Sequence, residues 1–289
     1  MIKTSTSKIG DWIVAFLCFL LILVCLLPML NVLARSLSSS DALIRNEVLL
    51  LPKGLNFNSY KMVIEDSKYT WSLIWTAILT VIGTCVSMFM TTICAYPLIY
   101  DNLKGKRFIN AMILFTMYFN AGTIPMYLLL KDIKLLNKPA VLIIPYCLSV
   151  FNMIIMRSFF FGIPDSLRES AEIDGAGPIR ILIKIYLPLS TPVIATLSLF
   201  YAVGRWNGFS DALMYMNKRE YWPIQLLLYN ILNNVTSIEV ATQEGFTKPG
   251  LADSIKAATV MFATVPILLV YPWLQKYFIT GVTLGSIKG

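Results

Sequence analysis

Apolar residues in this chain fall in long unbroken runs separated by polar segments, not in short alternating stretches. A helix needs roughly 20 apolar residues to cross a hydrocarbon core of ~30 Å. Six runs reach that length, near 12–34, 72–99, 109–130, 140–161, 191–213 and 257–279. None carries Asp, Glu or Lys except toward its ends. A lone apolar strand would leave its backbone groups unpaired in lipid, so the pattern predicts helices. The expected fold class is all-α and integral to the membrane, with six transmembrane helices in a single domain over 1–289. The first run exceeds the roughly 7–15 residues of a signal-peptide core, so it is read as a retained helix. Pro28 near its end is tolerable in a membrane helix.

Composition supports that class. Of 289 residues 57% are hydrophobic and only 14% charged, with a mean hydropathy of +0.69. That balance excludes a disordered chain and argues against an ordinary cytosolic enzyme, whose surface needs more charge. Histidine is absent, which excludes His-based triads, His-ligated metal sites and His proton relays; no metal site is expected. The five cysteines lie in apolar runs with no CxxC pair and read as small buried hydrophobes. The net charge of +8 sits in loops, where it faces water and lipid headgroups; no nucleic-acid partner is expected. Lys and Arg divide almost evenly between the two loop faces, so the positive-inside rule leaves orientation open.

The segment between the fourth and fifth runs reads IPDSLRESAEIDGAGPIRILIKIYLPLS over 163–190. Ser166 and Glu169 stand at capping-box spacing, and Asp165 adds negative charge near a helix start. Asp174-Gly175 predicts a stop, since Gly accepts the left-handed conformation of a helix C-cap. Ile179, Leu182, Ile183 and Tyr186 then predict a second amphipathic piece, ended by Leu187-Pro188. Two roles remain open on these grounds: a connector on the membrane surface, or a docking element for a soluble partner.

Glu169, Ala171 and Gly175, followed after nine intervening residues by Ile185, Leu187 and Pro188, resemble the E-A-A-x-x-x-G-x(9)-I-x-L-P signature of permease subunits of bacterial ABC importers. Asp174 and Ala176 beside the Gly are also typical of that family, whereas Ser170 stands where it usually has Ala. The tail, with Gly281, Thr283, Gly285 and Lys288, resembles the G-x-T-x-G-x-x-K-G ending of carbohydrate-importer permeases of the maltose-permease type. The stretches FFFGIPDSLRESAEIDGA, SLFYAVGRWNGFSDAL and PILLVYPWLQKYFITG are similar to one branch of that type, associated with complex or plant oligosaccharides. Trp75-Thr76 departs from the Asn-Thr of that branch.

The resemblance implies a multi-pass protein of the bacterial cell membrane, with 163–176 as a cytoplasmic coupling helix in the 162–190 loop and both termini cytoplasmic. It implies two ATP-binding subunits, a second homologous permease, an extracytoplasmic solute-binding protein and a carbohydrate substrate. The tail would reach between the ATPase subunits. ATP and magnesium would be held by those subunits, because this chain has no GxxxxGK[ST] phosphate loop and binds no cofactor of its own. On this reading the chain is not itself an enzyme. A secondary transporter would place acids mid-span, and a membrane-embedded enzyme would converge catalytic groups; neither pattern is present in the sequence.

Along the fifth run, Trp206 would lie about 22 Å from the start at ~1.5 Å per residue. Tyr201, Arg205, Trp206 and Asn207 form a candidate substrate path there, with Asp211 close by. Aromatic faces suit sugar C–H surfaces, amides suit hydroxyls, and Arg205 would offer a cation to an acidic sugar. The polar segments 35–71 and 214–256 are expected to be loops facing the solute-binding protein.

Overall fold

The computed structural model describes residues 5–234 and 249–286. The elements in chain order are α1 (Ser5–Ser36), α2 (Ser40–Ile44), α3 (Asn58–Glu65), α4 (Ser67–Ala95), α5 (Lys106–Tyr118), α6 (Thr123–Asp132) and α7 (Val150–Phe161). They are followed by α8 (Asp165–Ile173), α9 (Pro178–Leu189), α10 (Thr191–Asn207), α11 (Ser210–Tyr215), α12 (Ile224–Asn234) and α13 (Pro249–Ser286). Short 3₁₀ turns at Pro97–Ile99, Pro139–Leu142, Ile144–Tyr146 and Arg219–Tyr221 complete the architecture, and the described residues contain no strand. The all-α membrane class is as the sequence requires.

The six runs do not become six straight rods. Among the described residues three helices are long and apolar enough to cross a bilayer, Gly10–Ser36, Ser67–Ile99 and Gly250–Val270. The run 109–130 is two helices, α5 and α6, set at 113°. Asn120 causes the break: its carboxamide oxygen accepts the Gly122 amide at 2.9 Å, closing a turn in place of a helical bond. The run 140–161 is bent by 50° between Pro139–Tyr146 and α7, and α9 meets α10 at 84°. The count reaches six only when each bent pair is taken as one span. Length and hydropathy register apolar residues but not the turn chemistry of N-A-G or I-P-Y inside a run.

The contacts divide the chain into two compact units. The first comprises Met1–Thr70 and Leu228–Val265. Within it Arg35 pairs with Asp253 at 3.4 Å and the Ser59 and Ser254 hydroxyls bond at 2.7 Å, tying α3 and the end of α1 to α13. The sequence reads 35–71 as a loop; the structure builds it from α2, α3 and the start of α4, with Ala34, Leu43 and Val48 buried beneath. The expected loop 214–256 likewise contains α12 and the start of α13, with 235–248 outside the described residues. At 11 residues, α12 is too short to register as a span.

The second unit, Trp71–Leu227 and Pro266–Gly289, holds two apolar clusters. One packs Leu79, Leu130, Val141, Leu142, Tyr215 and Leu226. Here Trp75 donates to the Tyr221 carbonyl at 2.8 Å and the Thr76 hydroxyl accepts the Ile224 amide at 2.8 Å, so both residues of the departing Trp75-Thr76 pair anchor the 219–224 segment. The other cluster joins Tyr96, Met156, Phe160, Ile181 and Tyr186.

Arg205 is the pin of this unit. It donates to the Leu142 carbonyl at 2.9 Å, to the Gly208 carbonyl at 3.3 Å and through both terminal nitrogens to Asp211. The two side chains are 11% and 8% exposed. Gly208 permits this approach: a Cβ there would stand 3.0 Å from the Arg205 Nη2 and 3.2 Å from the Gly204 carbonyl. Removing one partner leaves a buried, uncompensated charge. Arg205→Ala should therefore cost about 3–5 kcal/mol, and the Arg205→Met/Asp211→Leu double variant should cost less than either single change. Melting temperatures of the detergent-purified variants check this order; a double variant below both singles contradicts it.

Candidate functional site

The first constellation is the 163–190 segment. α8 starts two residues before the capping box expects, with Pro164 at the cap position and no side chain capping the end. Ser166 thus lies inside the first turn; its carbonyl accepts from the Ser170 hydroxyl at 2.8 Å. The Ser166–Glu169 capping box is not formed. Pro164 accounts for it: its fixed φ and its carbonyl, which accepts the Leu167 amide at 3.2 Å, already set the first turn. Glu169 is left free of a capping role.

The C-terminal stop is as expected. Gly175 has φ +77°. Its amide bonds the Glu172 carbonyl at 3.0 Å, and the Ala176 amide reaches back to Ala171 at 2.9 Å. These are the two bonds of a Schellman closure, with Asp174 at the cap.

The segment's residues divide between two faces. Ala171, Ala176 and Ile185 pack against the cluster of Tyr96, Phe160 and Tyr186, whose rings meet edge to face at 5.2–6.3 Å. Ser166, Glu169, Asp174 and Pro188 are exposed, and Leu187 is half-buried. Ile173 is 86% exposed and Ile179 is 74% exposed, so the outward surface of this segment mixes acids with large apolar side chains.

Sequence reading misses the residue that seats α8. Arg168 lies 5.0 Å over the Tyr100 ring, 3.0 Å from Asp165 and 3.9 Å from Glu172. Its spacing of i−3 and i+4 to two acids is the signal that could have found it. Tyr100 bonds Tyr96 at 2.6 Å, which carries the contact into the cluster. Next to it, Lys106 bonds Asp101 at 2.8 Å, and that ammonium holds the Asp101 carboxyl below its usual range.

The face of the following helix also differs from expectation. Ile181 and Tyr186 are buried while Ile179 and Ile183 are exposed. Residues Leu182–Tyr186 form a π turn, which widens the spacing and shifts the inward face away from a strict 3.6-residue period. Pro188, which has no amide to donate, stands two residues after this turn, and the helix continues to Leu189.

The second constellation is a cavity of about 520 Å³ in the second unit. Tyr201 and Arg205 line it from α10; Trp206 and Asn207 do not, so the four candidate path residues are brought only partly together. Asn207 donates back to the Val203 carbonyl at 3.0 Å. The Tyr201 hydroxyl bonds Thr91 at 2.7 Å and accepts the Ser149 amide at 3.0 Å, holding the start of α7. Arg205 is bound to Asp211 and gives an incoming acid no free cation. The residues that sequence reading missed here are Ser87, Tyr146, Phe151, Asn152 and Phe200. Asn152, a carboxamide within an apolar run, was the visible signal.

Of the tail residues, Gly281, Thr283 and Gly285 fall within α13, and Lys288 lies outside the described residues.

Comparison with known proteins agrees with these features. The family model described as "Binding-protein-dependent transport system inner membrane component" matches residues 4–284. The chain is 38% identical over 284 residues to the polygalacturonan/rhamnogalacturonan transport system permease protein YtcP of Bacillus subtilis (strain 168), covering 98% of this chain and 99% of that protein. It is 40% identical over 266 residues to LplC of the same organism, covering 91% and 90%. A chain in the crystal structure of a bacterial ABC transporter involved in the import of the acidic polysaccharide alginate superposes with a TM-score of 0.89 at 32% identity, covering 96% of this chain and 99% of that one. The chain therefore belongs to the family of binding-protein-dependent transport system inner membrane components.

Proposed function

We propose that this chain is a transmembrane permease subunit of an ATP-driven carbohydrate importer, with an oligosaccharide substrate. Its relatives named for polygalacturonan/rhamnogalacturonan and arabinooligosaccharides support the substrate class. The observation that carries the reading is the construction of α8: closed by a Schellman turn, seated through Arg168, Ala171 and Ala176, and bearing outward acids beside exposed apolar groups. A short helix of that build transmits displacement without fraying.

On this reading α8 seats in a groove of one of two cytoplasmic ATP-binding subunits, which hold ATP and magnesium, and Glu169 and Asp174 face that groove. The loop 162–190 and both termini are then cytoplasmic, and the tail with Gly281, Thr283, Gly285 and Lys288 reaches toward the ATPase pair. A second homologous permease completes the translocation path, and an extracytoplasmic solute-binding protein delivers the sugar. ATP binding closes the ATPase pair, moves α8 and shifts the population of cavity states. The permease supplies positioning and a path, and the hydrolytic chemistry belongs to the partners.

Two outcomes test this. Glu169→Lys and Asp174→Lys should lower co-purification of the ATP-binding subunits or substrate-stimulated ATPase activity by tenfold or more, while membrane insertion is unchanged. Wild-type uptake and ATPase activity in both variants would sink the docking assignment. Gly175→Val forces a β-branched residue into the left-handed region at a cost of about 1–2 kcal/mol, in open space with nothing within 4 Å of the added Cβ. It should leave the assembled complex intact and reduce uptake per ATP hydrolysed, measured in proteoliposomes.

A further inference from the structure

The cavity of the second unit holds hydrogen-bonding groups that its own packing does not use. Arg205 and Asp211 are the charged residues among those lining it, and their two-point pairing cancels that charge. Both terminal nitrogens of Arg205 are engaged with Asp211 and two carbonyls, and its Nε is sealed from solvent. A carboxylate entering here meets no open guanidinium.

Asn152 is different. It is 5% exposed, its backbone amide is taken by the Ser149 hydroxyl at 3.3 Å, and its carboxamide has no hydrogen-bond partner among the described residues. Ser87, also 5% exposed, presents a hydroxyl with no partner among them. Both line the cavity, alongside the rings of Tyr146, Phe151, Phe200 and Tyr201. Polar atoms that open onto a cavity without a protein partner are met there by water or by a ligand. A carboxamide offers two donors and an acceptor, the set that adjacent sugar hydroxyls match, and aromatic faces suit the C–H side of a ring. The volume lies within the range of small-molecule sites.

We infer that Asn152 and Ser87 form a hydroxyl-reading subsite for one glycosyl ring, indifferent to whether that ring carries a carboxylate. The inference rests on the carbohydrate reading above and adds the residues and the chemistry of selection. Asn152 donates to and accepts from ring hydroxyls, Ser87 completes the pair, and the Arg205–Asp211 bridge keeps the wall neutral.

The test uses the complete importer in proteoliposomes with its binding protein, and trigalacturonate and galactotriose as labelled probes. The wild type should take up at least one. Asn152→Leu and Ser87→Ala should cut that uptake at least tenfold and threefold, with the ATP-binding subunits still co-purifying. Asn152→Asp, of the same shape, places a carboxylate in the subsite; it should depress trigalacturonate uptake at least fivefold more than galactotriose uptake, or abolish uptake of whichever probe is carried if that is the acid alone. A merely structural asparagine would not discriminate between the probes. Wild-type uptake retained in Asn152→Leu and Asn152→Asp overturns the subsite alone. A wild-type complex that imports neither probe nor any oligosaccharide overturns the carbohydrate reading and the subsite with it.

Discussion

A guanidinium with five donors sits where two helices are interrupted, and the second unit is organised around it. In an apolar slab a broken helix exposes carbonyls that water cannot reach, so a side chain must satisfy them. Arg205 does this for the Leu142 carbonyl, at the bend before α7, and for the Gly208 carbonyl, at the end of α10. Asp211 neutralises it from the next helix. The other interruptions have smaller versions of the same solution: Asn120 holds Gly122, Tyr201 holds the amide of Ser149, and Thr76 holds the amide of Ile224. Bent helices create a cavity, and these polar contacts make the bends affordable in an environment that otherwise forbids them.

The second organising contact lies at the aromatic cluster. Tyr96, Phe160 and Tyr186 come from three separate elements and meet edge to face, and α8 hangs from their margin through Arg168 over Tyr100. The inward face uses alanines, which let α8 lie close; the outward face uses acids. One nine-residue helix therefore has a fixed side and a presenting side. That division gives physical meaning to the alternation of small and acidic residues in the signature.

The class of fold was legible because lipid imposes a length on apolar runs, and 12–34 and 257–279 are indeed interior to single helices. The breaks were not, because hydropathy averages over Asn120 and the Pro145 turn as if they were neutral. The stop at Gly175 was legible from local backbone chemistry alone, whereas the capping box was not realised because Pro164 had already set the first turn. Asp211 illustrates the remaining difficulty. Near the end of a run it reads as a neighbour of the candidate path; its burial against Arg205 depends on a helix end at Gly208 that spacing does not announce. Asn152 and Ser87 were invisible as a pair because they belong to helices far apart in the chain and meet only around a cavity wall.

The π turn at Leu182–Tyr186 has a consequence for chain length. A wide turn stores one residue beyond what an α-helix uses. Deleting that residue closes the turn to ordinary α spacing and leaves the rungs on either side in register, whereas a deletion in the α-helical turns beside it rotates one flank against the other by about 100° and turns either Ile181 or Tyr186 out of the interior. Within Pro178–Leu189 the wide turn is therefore the place where the chain absorbs a change of length between Gly175 and the Ile185-Tyr186-Leu187-Pro188 stretch.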